Sequence, residues 1–176
     1  MLQARRSTLL LVDFQQRLAP VIDGAQETIE QAERLARAAQ LVGVPVLATE
    51  QIPEKLGATA DALLPLPEKI IAKLSFDATG EPGLREALDE RRETVLVTGW
   101  EAHVCVLQTT FGLVRAGFTP VVVADAVASR KPFSKDIALR RIAARGIEIV
   151  TVEMAIFEWL ERADHPRFRE ALPLIR

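Results

Sequence analysis

The stretch TVLVTGWEAHVCVLQTTFGLVRAG, residues 94–117, has the pattern of a buried strand, a tight bend and a helix, and it contains the chain's only cysteine, Cys105. Residues 95–97 form a short apolar run rich in β-branched side chains, which is typical of a buried strand and ends at Gly99. Gly117 stands where the glycine after a helix usually lies. The pattern therefore predicts that Cys105 lies in the first turn of a helix, just beyond the carboxyl end of a strand.

The predicted helix has an apolar stripe at spacings of three and four, made by Val104, Leu107, Phe111 and Val114, which we expect to be its buried face. Unpartnered backbone N–H groups at a helix start favour a negative charge, so we expect the pKa of the Cys105 thiol to be depressed. A free cysteine is nevertheless most often a small buried hydrophobic residue. The choice between these two interpretations depends on the rest of the chain.

Composition limits the classes of protein to which the chain can belong. Its 176 residues suffice for one domain with a hydrophobic core, predicted over residues 1–176, but are too few for two domains of ordinary size. The net charge of -2, with both signs interspersed, favours neither a nucleic-acid partner nor a membrane partner. The apolar runs are too short for a membrane span, and the apolar run that ends at Asp13 is too short for a signal peptide. One cysteine cannot form an internal disulfide, so we expect a cytoplasmic protein.

Strand patterns alternate with helix patterns along almost the whole chain. This alternation predicts an α/β fold, a three-layer α/β/α Rossmann-like sandwich with a mostly parallel six-stranded sheet. The turn after the first strand has no G-x-G-x-x-G motif, so a dinucleotide site is not expected there. The predicted strands are 7–12, 44–48, 69–72, 95–97, 119–124 and 147–151, and the main predicted helices are 27–42, 84–91, 104–116, 134–145 and 153–162.

The least regular part of the chain is residues 53–67, which hold three prolines and a glycine. A short helix over 59–64 is compatible with this sequence. Long irregular connections of this kind often carry function, so we expect the segment to form a wall or a lid of a site.

Three residues with complementary chemistry follow three different strands: Asp13 the first, Lys73 the third and Cys105 the fourth. Because ligands bind outside the carboxyl ends of parallel strands, all three are expected at the same edge of the sheet. There the carboxylate could take the thiol proton, and the ammonium would favour negative charge on both neighbours. Taken singly, Asp13 could equally cap a turn, and Lys73 could simply be solvated.

Several short motifs make the chain resemble the isochorismatase-like cysteine hydrolases over nearly its whole length. They are LLLVDFQ around Asp13, AKLSF around Lys73 and VTGWEAHVCV around Cys105. TEQIPEKLG after the second strand and DHPRF near the end are similar, more narrowly, to the isochorismatase domain-containing subgroup. This resemblance shifts the interpretation of Cys105 from core residue to nucleophile.

The resemblance implies a catalytic triad of Asp13, Lys73 and Cys105 in a hydrolase that cleaves a small amide or a related C–N bond. Asp13 would be the general base, Lys73 would stabilise charge, and Cys105 would form a thioester with the acyl group. The family also implies a cis peptide bond between Trp100 and Glu101. This bond would direct the backbone N–H groups of Glu101 and Cys105 towards the developing oxyanion.

No metal or cofactor is expected, although nicotinamidases of this family bind a metal beside the second strand. Here that position reads TEQ, residues 49–51, and the only histidines are His103 and His165, which cannot complete a metal site. His103 is expected to have a role in the turn. The residues that flank the predicted site are candidates to line a pocket for a small-molecule substrate: Phe14, Gln51, Phe76 and Trp100.

Two other functions remain open at this point. A lone low-pKa cysteine would also suit a redox or thiol sensor, and the same fold could serve as a non-catalytic binding or scaffold module. The presence of Asp13 and Lys73 together with Cys105 favours the enzyme. Family members usually assemble, so the resemblance further implies a homo-oligomer, a dimer or a tetramer.

Overall fold

The computed structural model describes residues 1–175, and its centre is a six-stranded sheet in the order β3-β2-β1-β4-β5-β6. Every neighbouring pair of strands is parallel, and helices cover both faces, which confirms the predicted fold class. The strands are β1 Ser7–Val12, β2 Val46–Gln51, β3 Lys69–Lys73, β4 Thr94–Gly99, β5 Thr119–Val127 and β6 Glu148–Val150.

The helices fall into two layers, because successive side chains of each buried strand point to opposite faces of the sheet. In β1, Leu9 and Leu11 pack with α1, α6 and α7, whereas Leu10 and Val12 pack with α3, α4 and α5. The bounds are α1 Ala25–Leu41, α2 Pro53–Leu56, α3 Pro82–Ala87, α4 Leu107–Arg115, α5 Pro132–Ala143, α6 Val152–Leu160 and α7 Phe168–Ile175.

The irregular segment 53–67 differs from its prediction. Its helix is α2, at the beginning of the segment, and the predicted helix over 59–64 is absent because Thr59 pairs in an isolated bridge with Gln15. The carboxylate of Glu50 accepts hydrogen bonds from both the backbone N–H and the hydroxyl of Thr59. These contacts hold the segment in an extended form at Thr59, which excludes a helix start there.

The bend after β4 also differs, because a π-helical turn, Ala102–Val106, precedes α4. Cys105 lies in this turn rather than in the first turn of an ordinary α-helix. The buried face of α4 includes Thr110 and Leu113, whereas Val114 is 49% exposed. The predicted apolar stripe is therefore wrong at Val114.

The close approach of β4 to β1 requires glycine at one position. Gly99 has a φ of 144°, and a Cβ atom there would collide with the backbone carbonyl of Val12. No helix within residues 1–175 has the length and hydropathy needed to cross a bilayer. Arg176, the last residue of the predicted domain, lies outside the described residues.

Candidate active site

The order of the strands reverses between β1 and β4, and this point of the sheet carries most of the predicted site. Asp13 follows β1 directly, and the π-helical turn with Cys105 follows β4. Lys73 is the last residue of β3, which is separated from β1 by β2. The long lysine side chain crosses the end of β2, so the structure brings all three residues together at one edge of the sheet.

Asp13 and Lys73 form a buried ion pair, with 2.8 Å between Oδ2 and Nζ. The two residues are only 1% and 2% exposed. Thr49 donates its hydroxyl to Oδ1 of Asp13 at 2.7 Å, and Lys73 donates to Oε1 of Gln51 at 2.5 Å and to the carbonyl of Ser75 at 3.2 Å. These polar contacts offset the cost of burying both charges and fix the orientation of the carboxylate.

The environment of Cys105 corrects the expectation of a depressed pKa. Burial, followed by the charge of the Asp13 carboxylate, raises the pKa of the thiol from 9.0 to about 12, although Lys73 acts in the opposite direction. The physical reason is that desolvation and a neighbouring carboxylate outweigh one ammonium that is already paired. The resting site therefore holds a protonated thiol beside the carboxyl group of Asp13.

The bend before Cys105 is built without the predicted cis peptide bond. No peptide bond of residues 1–175 is cis, so the bond between Trp100 and Glu101 is trans. Instead, Glu101 turns the chain with a left-handed backbone, φ 53° and ψ 59°. The participation of the Glu101 and Cys105 N–H groups in an oxyanion hole stays a prediction.

A cavity of about 360 Å³ opens above the thiol. Two of the four residues predicted to flank a pocket, Gln51 and Phe76, line it. Phe14 and Trp100 do not line it: both are fully buried, their rings pack at 5.3 Å between centroids, and the Trp100 indole donates to Thr28. Both side chains pack in the hydrophobic core on the side of the sheet opposite to Cys105, beneath the site.

Several residues of the cavity were missed by sequence reasoning. Arg130 lies three residues after the end of β5, and this position beyond a parallel strand is the signal in the sequence that points to it. The apolar wall is contributed by separate short segments whose convergence no local pattern predicts: Leu18, Val21, Leu56 and Val104.

The polar residues that a metal would need are engaged elsewhere. Glu50 bonds to Thr59, and His103 bonds through Nδ1 to the hydroxyl of Ser129 at 3.0 Å. His165 accepts a hydrogen bond from the backbone of Arg167. Among the side chains of residues 1–175, no three His, Cys, Asp or Glu groups are placed to hold a metal ion.

Comparison with known proteins relates this site to a family. Isochorismatase domain-containing protein 2 of Pongo abelii is 36% identical over 172 residues, which are 97% of this chain and 83% of that protein. The zebrafish (Danio rerio) isochorismatase domain-containing protein 1 is 33% identical over 97% of the chain, but the chain spans only 61% of that protein.

The solved structures include a MAR1 ribonuclease from Caenorhabditis elegans, 34% identical and with a TM-score of 0.94, over 99% of this chain and 91% of that one. The model of the isochorismatase domain family matches residues 7–154, which include Asp13, Lys73 and Cys105. The chain belongs to the isochorismatase domain family.

Proposed function

We propose that this protein is a cysteine hydrolase that cleaves a small amide, or a related C–N bond, through a thioester. The observation that carries the proposal is the convergence of Asp13, Lys73 and Cys105 beneath one cavity. A redox sensor would have no use for a buried ion pair that holds a carboxylate beside the thiol.

The chemistry begins with a neutral thiol. As the sulfur attacks the substrate carbonyl, its proton passes to the carboxylate of Asp13, so a free thiolate need not accumulate. Lys73, whose Nζ lies 2.8 Å from Oδ2 of Asp13, orients the carboxylate for that step. Backbone N–H groups of Glu101 and Cys105 are proposed to stabilise the oxyanion, a contribution of about 3 kcal/mol per donor in comparable sites.

The intermediate then collapses, and the C–N bond breaks. The proton on Asp13 goes to the leaving nitrogen, and ammonia or an amine departs from the thioester. Water next attacks the thioester carbonyl and gives a proton to Asp13, which returns it to the sulfur as the acid is released. Asp13 thus serves alternately as base and acid, and no net proton remains on the enzyme.

The test is intact-mass spectrometry of the wild type and Cys105→Ala after mixing with small primary amides and 4-nitrophenyl esters. We expect an acyl adduct on the wild type, absent from Cys105→Ala, with ammonia released from the amides. Asp13→Asn should slow acylation by about a hundredfold or more, because the thiol loses its base.

Either of two reactive outcomes would contradict the proposal, and so would an inert protein. One is the absence of any adduct or ammonia release with every compound, while peroxide oxidises Cys105 rapidly, which would favour the sensor. The other is turnover that survives in Cys105→Ala, whether of these compounds or of RNA, because the chemistry would then rest on other residues. An inert protein that resists both acylation and oxidation would support the scaffold function.

A further inference from the structure

A second cavity, of about 280 Å³, lies beside the first and is lined by His103, Arg130, Lys131 and Ser134. Arg130 lines both cavities, so the two share a wall. The second cavity has no part in the proposed acyl transfer. Its lining consists of cationic or ionisable side chains and one hydroxyl.

The two cavities differ sharply in character. Around the thiol the wall is mostly apolar, with Leu18, Leu56 and Phe76 among its residues. The second cavity has two permanent cations, Arg130 and Lys131, and no acidic residue in its lining. A substrate that filled both would therefore have an apolar part next to the scissile bond and an anionic part further away.

Arg130 is held in place by a carboxylate but retains donors for a ligand. Its Nε lies 2.5 Å from Oε1 of Glu101, whose side chain is 10% exposed, and the Arg130 side chain is 58% exposed. This is the only ion pair of Arg130 within residues 1–175. Pairing through Nε alone leaves the two terminal amino groups, and a planar guanidinium binds carboxylate or phosphate oxygens with several donors at once.

The other polar side chains extend this arrangement. His103 is oriented through Nδ1, which bonds to the Ser129 hydroxyl at 3.0 Å and lies 3.4 Å from Oε2 of Glu101. Lys131 is exposed and has no ion pair among the described residues. Glu101 pairs with Arg130, and Lys131 has no ion pair among the described residues, so a net positive charge is left for a ligand.

We propose that the substrate of this hydrolase carries a carboxylate or a phosphate, and that Arg130 and Lys131 bind this group in the second cavity while the amide lies over Cys105. The inference rests on the proposed function for the position of the amide. Arg130 and Lys131 are specificity-determining residues in this proposal. Neither takes part in bond making or breaking.

The experiment compares three 4-nitrophenyl esters with the same chain length: valerate, the monoester of glutarate and the ester of 4-phosphonobutanoate. In the wild type we expect kcat/KM for at least one anionic ester to exceed that for valerate by about tenfold or more. Lys131→Met should reduce this ratio to below about threefold, mainly through KM. The carboxylate and phosphonate esters distinguish the two kinds of anion.

Arg85→Met is the matched control, since it removes an exposed arginine that lines neither cavity and should leave the ratio unchanged. Arg130→Lys is a second variant of the site that keeps the charge beside Glu101 and loses the planar donors. Equal kcat/KM for all three esters in the wild type, or a ratio that Lys131→Met and Arg130→Lys leave intact, would overturn the inference.

A binding measurement keeps this inference separable from the proposed function. Glutarate and inorganic phosphate are titrated into Cys105→Ala, with and without Lys131→Met, by isothermal titration calorimetry. Saturable binding that the second substitution weakens about tenfold or more supports the anion site even if no ester is turned over. Turnover of valerate without saturable binding of either anion would retain the hydrolase and reject the anion site.

Discussion

Asp13 and Glu101 both adopt a left-handed backbone, with φ of 55° and 53°. Non-glycine residues rarely do so, and such conformations are concentrated at functional sites because surrounding contacts must hold them. Asp13 follows β1 and Glu101 follows β4, the two strands between which the strand order reverses. Ile52, with φ 41°, follows β2. Three of the four non-glycine residues with positive φ within residues 1–175 therefore follow strands at the edge of the sheet where the candidate active site lies, and the fourth, Glu161, follows α6.

The raised pKa of Cys105 leads to a prediction about its reactivity. We expect iodoacetamide to alkylate the folded wild type at pH 8 two to three orders of magnitude more slowly than a free thiol, roughly as the pKa shift requires. The rate should still be rising at pH 10. Because the Asp13 carboxylate is the second cause of the shift after burial, Asp13→Asn should move the profile to lower pH.

The raised pKa of the Cys105 thiol also affects how the stability of the fold depends on pH. The pKa of the folded thiol lies above its ordinary value of 9.0, so between pH 9 and 12 the unfolded thiol ionises while the folded thiol keeps its proton. The free energy of unfolding should therefore fall with rising pH by more in the wild type than in Cys105→Ser, as measured by urea unfolding.

For the alkylation experiment, a midpoint near pH 7 that is equal in wild type and Asp13→Asn would contradict the structure of the site.

The helix α4, which follows the π-helical turn directly, packs closely against the short 3₁₀ turn Ala78–Gly80. Gly112 is the contact point: a Cβ atom there would collide with the carboxylate of Asp77 and the hydroxyl of Thr79. The Asp77 carboxylate is itself tied to Thr79 and to Arg115. The neighbours of Gly112 are thus held in place and cannot easily move aside.

We expect Gly112→Ala to lower the free energy of unfolding by about 1–3 kcal/mol, the usual cost of overpacking, despite the better helix propensity of alanine. Urea denaturation followed by circular dichroism measures this change. Gly83→Ala in α3 is the matched control, since its Cβ would meet only Ile71, in an ordinary contact at 3.4 Å. Equal effects of the two substitutions would show that α4 does not pack as described.

At the scale of the whole molecule, the two helix layers leave apolar side chains on the surface of α5. Phe133 is 73% exposed and Ile137, one turn further along the helix, is 44% exposed. Surface apolar residues that share a helix face favour burial against another surface. We therefore expect the protein to self-associate through this face.

Sedimentation velocity at micromolar concentration should reveal a dimer or a larger assembly in the wild type. Phe133→Glu combined with Ile137→Lys should shift the protein towards the monomer, because charges replace the apolar contact while the net charge is unchanged. Met154→Glu with Phe157→Lys on α6, where the side chains are 45% and 43% exposed, is the comparison. A wild type that is monomeric at all concentrations, or assembly lost only in the α6 variant, would exclude the α5 face.

The sequence by itself determined the alternation of elements, the parallel sheet and the three residues at its carboxyl edge. These features depend on local patterns: an apolar run makes a buried strand, and a residue that follows such a strand lies at a known edge of a parallel sheet. The motifs around Asp13, Lys73 and Cys105 are also short local stretches of sequence, and their resemblance to known motifs was sufficient to indicate the family.

Only the tertiary structure decided the environment of those residues. The pKa of Cys105 depends on burial and on a carboxylate 92 residues earlier in the chain, neither of which its helix position reveals. The burial of Phe14 and Trp100 in the core, the exposure of Val114 on α4 and the place of Arg130 between two cavities likewise arise from packing between distant segments. Local propensity fixes which elements form, whereas solvent exclusion and charge pairing depend on what the folded chain brings together.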